Sequence, residues 1–174
     1  MVTSSAETPR LQTVRLTLTP LRVEDAEEMA RLLDDARLHQ FTGGAPLGVD
    51  ALSERYRRQV RGRSADGGER WLNWIVRLSG DATAIGTVQA SIRDGSDGVA
   101  EIAWVIGVAW QRRGLATEAA RAVVAWLAAQ SVVAIEAHIA VGHLASQIVA
   151  ARLGLARTQR LVDGEEVWSN ASLD

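Results

Sequence analysis

Residues 99–130 read Val99-Ala100-Glu101-Ile102-Ala103-Trp104-Val105-Ile106-Gly107-Val108-Ala109-Trp110-Gln111-Arg112-Arg113-Gly114-Leu115-Ala116-Thr117-Glu118, then Ala119-Ala120-Arg121-Ala122-Val123-Val124-Ala125-Trp126-Leu127-Ala128-Ala129-Gln130. The apolar run Ile102 to Ile106, bounded by Gly98 and Gly107, predicts a buried strand. Leu115, Ala119, Ala122, Val123, Trp126 and Leu127 recur at helical spacing and predict a helix. The loop between them, Gln111 to Ala116, falls where a helix's first N–H groups lack intrahelical partners and its macrodipole is positive. Gly114 frees the backbone to turn those N–H groups inward, and Arg112 and Arg113 add charge, so the loop suits an anion, with a diphosphate as the natural guest. No Gly-Lys-Ser/Thr and no Gly-x-Gly-x-x-Gly occurs here, which separates this loop from the Walker and dinucleotide fingerprints.

The rest of the composition narrows the class. A chain of 174 residues, 47% hydrophobic with net charge −2, predicts one globular domain over 11–174 behind a loose tail at 1–10. Near-neutral charge argues against wrapping nucleic acid as the main task, and the absence of cysteine excludes disulfides and thiolate chemistry. His39, His138 and His143 lack zinc-motif spacing, so no metal is expected. Met1 to Thr13 is polar and no run of about 18 apolar residues follows, which predicts a cytoplasmic protein with no membrane partner.

Before the central stretch, Thr13–Thr19 alternates polar and apolar residues and predicts a strand ended by Pro20. A helix is expected over Val23–Leu33, a loop over His39–Pro46, and a second helix over Asp50–Arg61 carrying Arg55, Arg57, Arg58 and Arg61. That basic helix reads as a solvated face, or as a device steering an acidic or phosphate-bearing partner. Trp71–Leu78, Ala84–Ile92 and Val99–Ile106, with turn-forming residues between them, predict an antiparallel meander. After the central helix come a strand at Ala134–Ala140, a short helix from about Ala145 stopped by Gly154, and strands at Leu155–Leu161 and Glu166–Ser169 around Asp163-Gly164. The terminal strands offer an edge through which a homodimer could form.

Gln111-Arg112-Arg113-Gly114-Leu115-Ala116, set between strand and helix, resembles the acetyl-CoA-binding motif of the GNAT N-acetyltransferase superfamily. The last helix is similar to the Asn-x-x-Ser-x-x-x-Ala-x-x-Leu-Gly-Phe pattern of the ribosomal-protein N-terminal acetyltransferase branch, here His143-x-x-Ser146-x-x-x-Ala150-x-x-Leu153-Gly154-Leu155. His143 stands for the usual Asn and Leu155 for the usual Phe. The resemblance implies a mixed α/β GNAT fold, ordered strand, two helices, three strands, helix, strand, helix, two strands. Its mostly antiparallel sheet would splay between the strand before the loop and the strand after the central helix. It also implies acetyl-CoA as cosubstrate, with Ile106, Val108, Arg112, Arg113, Gly114, Leu115, Ala116, Thr117 and His143 as cofactor-binding residues. The acceptor would be a primary amine, a protein N-terminus or a small molecule.

Direct attack of an amine on a thioester needs a base, because a lysine-like amine has a pKa near ~10.4. Glu101, at the start of the strand that leads to the loop, is the first candidate, and its bland alternative is an edge carboxylate in water or paired with an arginine such as Arg93. His138 and Glu136, sharing one face of the next strand, are weaker candidates, and Glu118 reads as a stabiliser of the helix start. A backbone N–H around Ile106 to Val108 would hold the oxyanion, and Ser146 would stand near the departing sulfur. Phe41, Tyr56, Trp74 and Trp104 are candidates for lining the acceptor cleft. A non-catalytic acyl-CoA-binding regulatory module and a nucleic-acid binder using the arginine helix are the competing readings.

Overall fold

The computed structural model describes residues 8–95 and 98–171, and residues 1–7 of the expected tail lie outside them. Eight strands form one sheet: β1 (Leu11–Gln12), β2 (Leu16–Pro20), β3 (Glu69–Leu78), β4 (Ala84–Arg93), β5 (Val99–Ile106), β6 (Ala134–Ala140), β7 (Ala156–Val162) and β8 (Glu165–Ser169). Their spatial order is β1-β2-β3-β4-β5-β6-β8-β7. Helices α1 (Ala26–Leu32), α2 (Ala36–Thr42) and α3 (Val49–Gln59) fall between β2 and β3. Helix α4 (Leu115–Ala128) links β5 to β6, and α5 (Leu144–Arg152) links β6 to β7.

The sheet is covered on both faces, as the alternation of β3 requires. Leu72, Trp74 and Val76 join the core that α4 closes with Leu115, Ala119, Val123 and Leu127, whereas Ile75 joins Leu21, Met29, Leu52 and Tyr56 beneath α1 and α3. Truncating a fully buried anchor such as Leu127 to alanine costs about 2–5 kcal/mol in cores of this kind.

Three expectations change. Thr13–Thr19 is not one strand: β1 and β2 pair antiparallel as a hairpin whose turn, Thr13–Arg15, is held by the Thr13 N–H on Leu16 O at 2.9 Å and by the Thr13 hydroxyl and Arg15 amide donating to the Glu118 carboxylate of α4 at 2.6 and 3.0 Å. The loop expected from His39 begins inside a helix instead. Asp35 caps α2 by accepting from the Arg37 amide at 3.0 Å, and Gly43, at φ +72°, ends it. The helix expected from Val23 opens as a 3-10 turn, Val23–Asp25, before α1.

The feature that positions the site is the one parallel pairing recorded among the described residues. β5 and β6 share three registers, Val99 with Ala134, Ala100 with Ile135 and Glu101 with Glu136. Beyond Glu101 the two strands part, although β5 runs on to Ile106 and β6 to Ala140. The splay opens a slot in the middle of the sheet.

Candidate active site

After β5 the chain makes a 3-10 turn at Val108–Trp110 and then enters α4 through two left-handed residues, Arg112 at φ +59° and Gly114 at φ +75°. Gly114 is the residue before the first helical turn, and a Cβ there would meet only Arg15 Nη2, at 3.7 Å, so the need for glycine is conformational. Among the described residues, the amides of Arg112, Arg113, Gly114, Leu115, Ala116 and Thr117 make no hydrogen bond, and the first backbone bond of the helix is Glu118 N to Gly114 O at 3.0 Å. These six N–H groups are the fixed donors that an anion requires. Arg112 and Arg113 are exposed, and the Arg113 guanidinium lies over the Trp110 ring, 5.4 Å from its centroid.

Two residues outside the expected set hold this loop. Arg15 donates through Nη1 to the Arg113 carbonyl at 3.0 Å while its Nε binds Glu118 Oε2 at 2.6 Å. Gln111 Nε2 donates to the Ile106 carbonyl at 2.9 Å, closing the turn on the end of β5. Glu118 is therefore more than a helix-start charge. Burial alone would raise its carboxyl, but hydrogen bonds from Thr13, the Arg15 amide and the Arg15 guanidinium outweigh that and hold it below its ordinary value of 4.5. Gly107 gives its N–H to Ile85 at 2.8 Å, whereas the Val108 amide makes no hydrogen bond among the described residues.

A cavity of about 470 Å³ occupies the splay. Its walls include Ile102 to Val105 of β5, Ala137 to Ala140 of β6, Phe41 of α2 and Tyr56 of α3, and it takes in all three histidines of the chain. His143 and Ser146, at the start of α5, both line it. The His143 ring stacks on Phe41 with centroids 4.3 Å apart and planes 4° from parallel, and burial lowers its pKa below the ordinary 6.5, favouring the neutral ring. Tyr56 is 4% exposed and its hydroxyl has no hydrogen-bond partner among the described residues, and burial pushes its pKa up to about 12. Trp104 lines the cavity and is only partly buried. Trp74 also borders it but is fully buried, packs edge-on against Trp126 and donates its indole N–H to Pro9 O at 2.7 Å, so it serves mainly the core.

Glu101 does not line the cavity; His138 does. The two are neighbours, His138 Nδ1 lying 3.5 Å from Glu101 Oε1, so the partner of Glu101 is this imidazole and not Arg93. The Glu101 side chain is 41% exposed and that of His138 18%. Glu136 is committed elsewhere, 2.6 Å from Arg160 Nη1. Among the described residues no group of three or more His, Cys, Asp or Glu side chains could hold a metal ion, and no helix is long and apolar enough to cross a membrane.

Comparison with known proteins places this geometry. A profile of the acetyltransferase (GNAT) domain matches residues 15–156. The chain belongs to the GNAT acetyltransferase family. Solved structures share its fold at low identity. An acetyltransferase of the GNAT family from Bacillus anthracis is 15% identical with a TM-score of 0.74, over 92% of this chain and 96% of that one. A ribosomal L7/L12 alpha-N-protein acetyltransferase in complex with coenzyme A is 12% identical with a TM-score of 0.77, over 93% and 97%. The aminoglycoside acetyltransferase AAC(6')-Ib in complex with coenzyme A is 20% identical with a TM-score of 0.72, over 88% and 92%. No curated protein sequence matches the chain.

Proposed function

We propose that the protein transfers an acetyl group from acetyl-CoA to a primary amine by direct attack within a ternary complex. The observation that supports this best is one junction: β5 forms a wall of the splay cavity and, after the short turn Val108–Trp110, leads into the loop of six unbonded amides that begins at Arg112. In this reading the amides of Arg112 to Thr117 hold the CoA diphosphate with Arg112 and Arg113 beside them, and the pantetheine arm follows the unpaired stretch of β5 into the cavity. That two of the fold neighbours described above were solved in complex with coenzyme A agrees with it.

The chemistry then falls to a few groups. The ammonium loses a proton to Glu101 by way of His138, and the free amine attacks the thioester carbonyl. As the C–N bond forms, the Val108 N–H stabilises the oxyanion. Collapse of the tetrahedral intermediate breaks the C–S bond, and the second proton shed by the attacking nitrogen passes, through the Ser146 hydroxyl or water, to the departing thiolate. His143, kept neutral by burial against Phe41, packs along the pantetheine rather than acting as an imidazolium. The cytoplasmic setting is part of the same proposal.

Initial-rate kinetics with both substrates varied tests the central step. Intersecting reciprocal plots are expected for a ternary complex, whereas parallel plots would mean a covalent acyl-enzyme and overturn it. Tight acetyl-CoA binding without amine-dependent thiol release would favour the regulatory-module reading.

A further inference from the structure

A second depression of about 250 Å³ adjoins the cavity, sharing Arg55, Gln59, Asn73 and Gln89 with it and adding Arg58, Trp71 and Ser91. Its floor follows from the strand registers. Trp71, Ser91 and Glu101 stand in one row across β3, β4 and β5, and Asn73, Gln89 and Ala103 in the next, on the same face of the sheet. Arg55, Arg58 and Gln59 of α3 overhang this floor.

The charges are unevenly settled. Arg57 pairs with Glu54 and Arg63 with Asp94, but Arg55 and Arg58 make no ion pair among the described residues. No Asp or Glu lines the depression, and the nearby Glu69 accepts the Trp71 indole N–H at 2.7 Å. Two unneutralised guanidiniums above a floor of two carboxamides and a hydroxyl offer N–H and O–H donors with no carboxylate among them, an arrangement that suits an oxyanion. At the other end of the same row stands the carboxylate of Glu101, which attracts an ammonium.

The geometry points to an amine acceptor that also carries a carboxylate or phosphate, its ammonium toward Glu101 and its oxyanion under Arg55 and Arg58. This deepens the acetyl-transfer reading and rests on it for the amine's fate, but not for the oxyanion's seat. Across the sheet face, a positive end and a negative end with polar groups between them complement a dipolar molecule better than a plain cationic one.

The test is calorimetric titration of the whole protein, with CoA present, using matched probes: β-alanine against β-alaninamide, and O-phosphoethanolamine against ethanolamine. The anionic member of at least one pair should bind about tenfold tighter, about 1.4 kcal/mol, and the larger preference tells carboxylate from phosphate. Arg55→Gln/Arg58→Gln should abolish the preference while CoA affinity holds, and Ser91→Asp should weaken it. Equal affinities within both pairs, or a preference that survives the double variant, would overturn the inference. Because binding is read without turnover, anion preference without thiol release supports the subsite and refutes acetyl transfer, whereas thiol release without anion preference does the reverse.

Discussion

The Nδ1 of His138 lies 3.5 Å from Oε1 of Glu101, two residues past the last register that joins β5 to β6. The imidazole faces the cavity and the carboxylate stands behind it, half in solvent. A base arranged this way collects its proton through a relay and passes it to water. Glu101→Gln should lower kcat by about 10²-fold, within the range of positioned bases, with acetyl-CoA affinity retained. His138→Asn should do likewise. If the two act in series, the double variant should be little worse than either single one, and steady-state kinetics of all three variants measures this.

Gly114→Val should weaken acetyl-CoA binding by more than tenfold. A β-branched residue resists φ +75°, at a cost of about 1–2 kcal/mol, so the loop would turn its amides out of register. Calorimetry on the variant checks this, with circular dichroism confirming that the sheet is kept.

Tyr56→Phe separates stability from binding. The hydroxyl it removes is buried and unpartnered, so the melting temperature should hold or rise slightly, while KM for the acceptor rises severalfold. A fall in melting temperature would mean that the hydroxyl is already satisfied in the fold.

Acid should loosen the link between the N-terminal strands and α4. The Glu118 carboxyl has a folded pKa below its ordinary 4.5, so its ionised form contributes stability that is whole above pH 4.5 and is lost as pH falls through the lowered value. Glu118→Gln should cost about 1–3 °C in melting temperature at pH 7, as fits a partly exposed pair, and should flatten the curve of melting temperature against pH below 4.5.

Much of the frame is legible because it is local. Val99–Ile106 and Ala134–Ala140 have the bounds their apolar patterns predict, and the helix after Gly114 follows its 3.6-residue period. What stayed hidden is what distant residues do to one another. The hairpin turn at Thr13 is tied to Glu118, more than a hundred positions on, and the Phe41 stack on His143 joins α2 to the start of α5. Helix α2 escaped because its cap, Asp35, precedes a stretch whose glycines and proline draw the eye to a loop. In the site, alternation put Glu136 and His138 on one face, but only the parting of β5 from β6 makes His138, and neither glutamate, a wall of the cavity. Arg15 gave no sign in an alternating strand that it would hold the loop.

One titration bears most directly on the whole account: acetyl-CoA added to the wild-type protein in a calorimeter, followed in the same sample by thiol release as a panel of primary amines is supplied. The account predicts saturable binding and release of one thiol for each amine acetylated. No binding of acetyl-CoA would contradict it at its base.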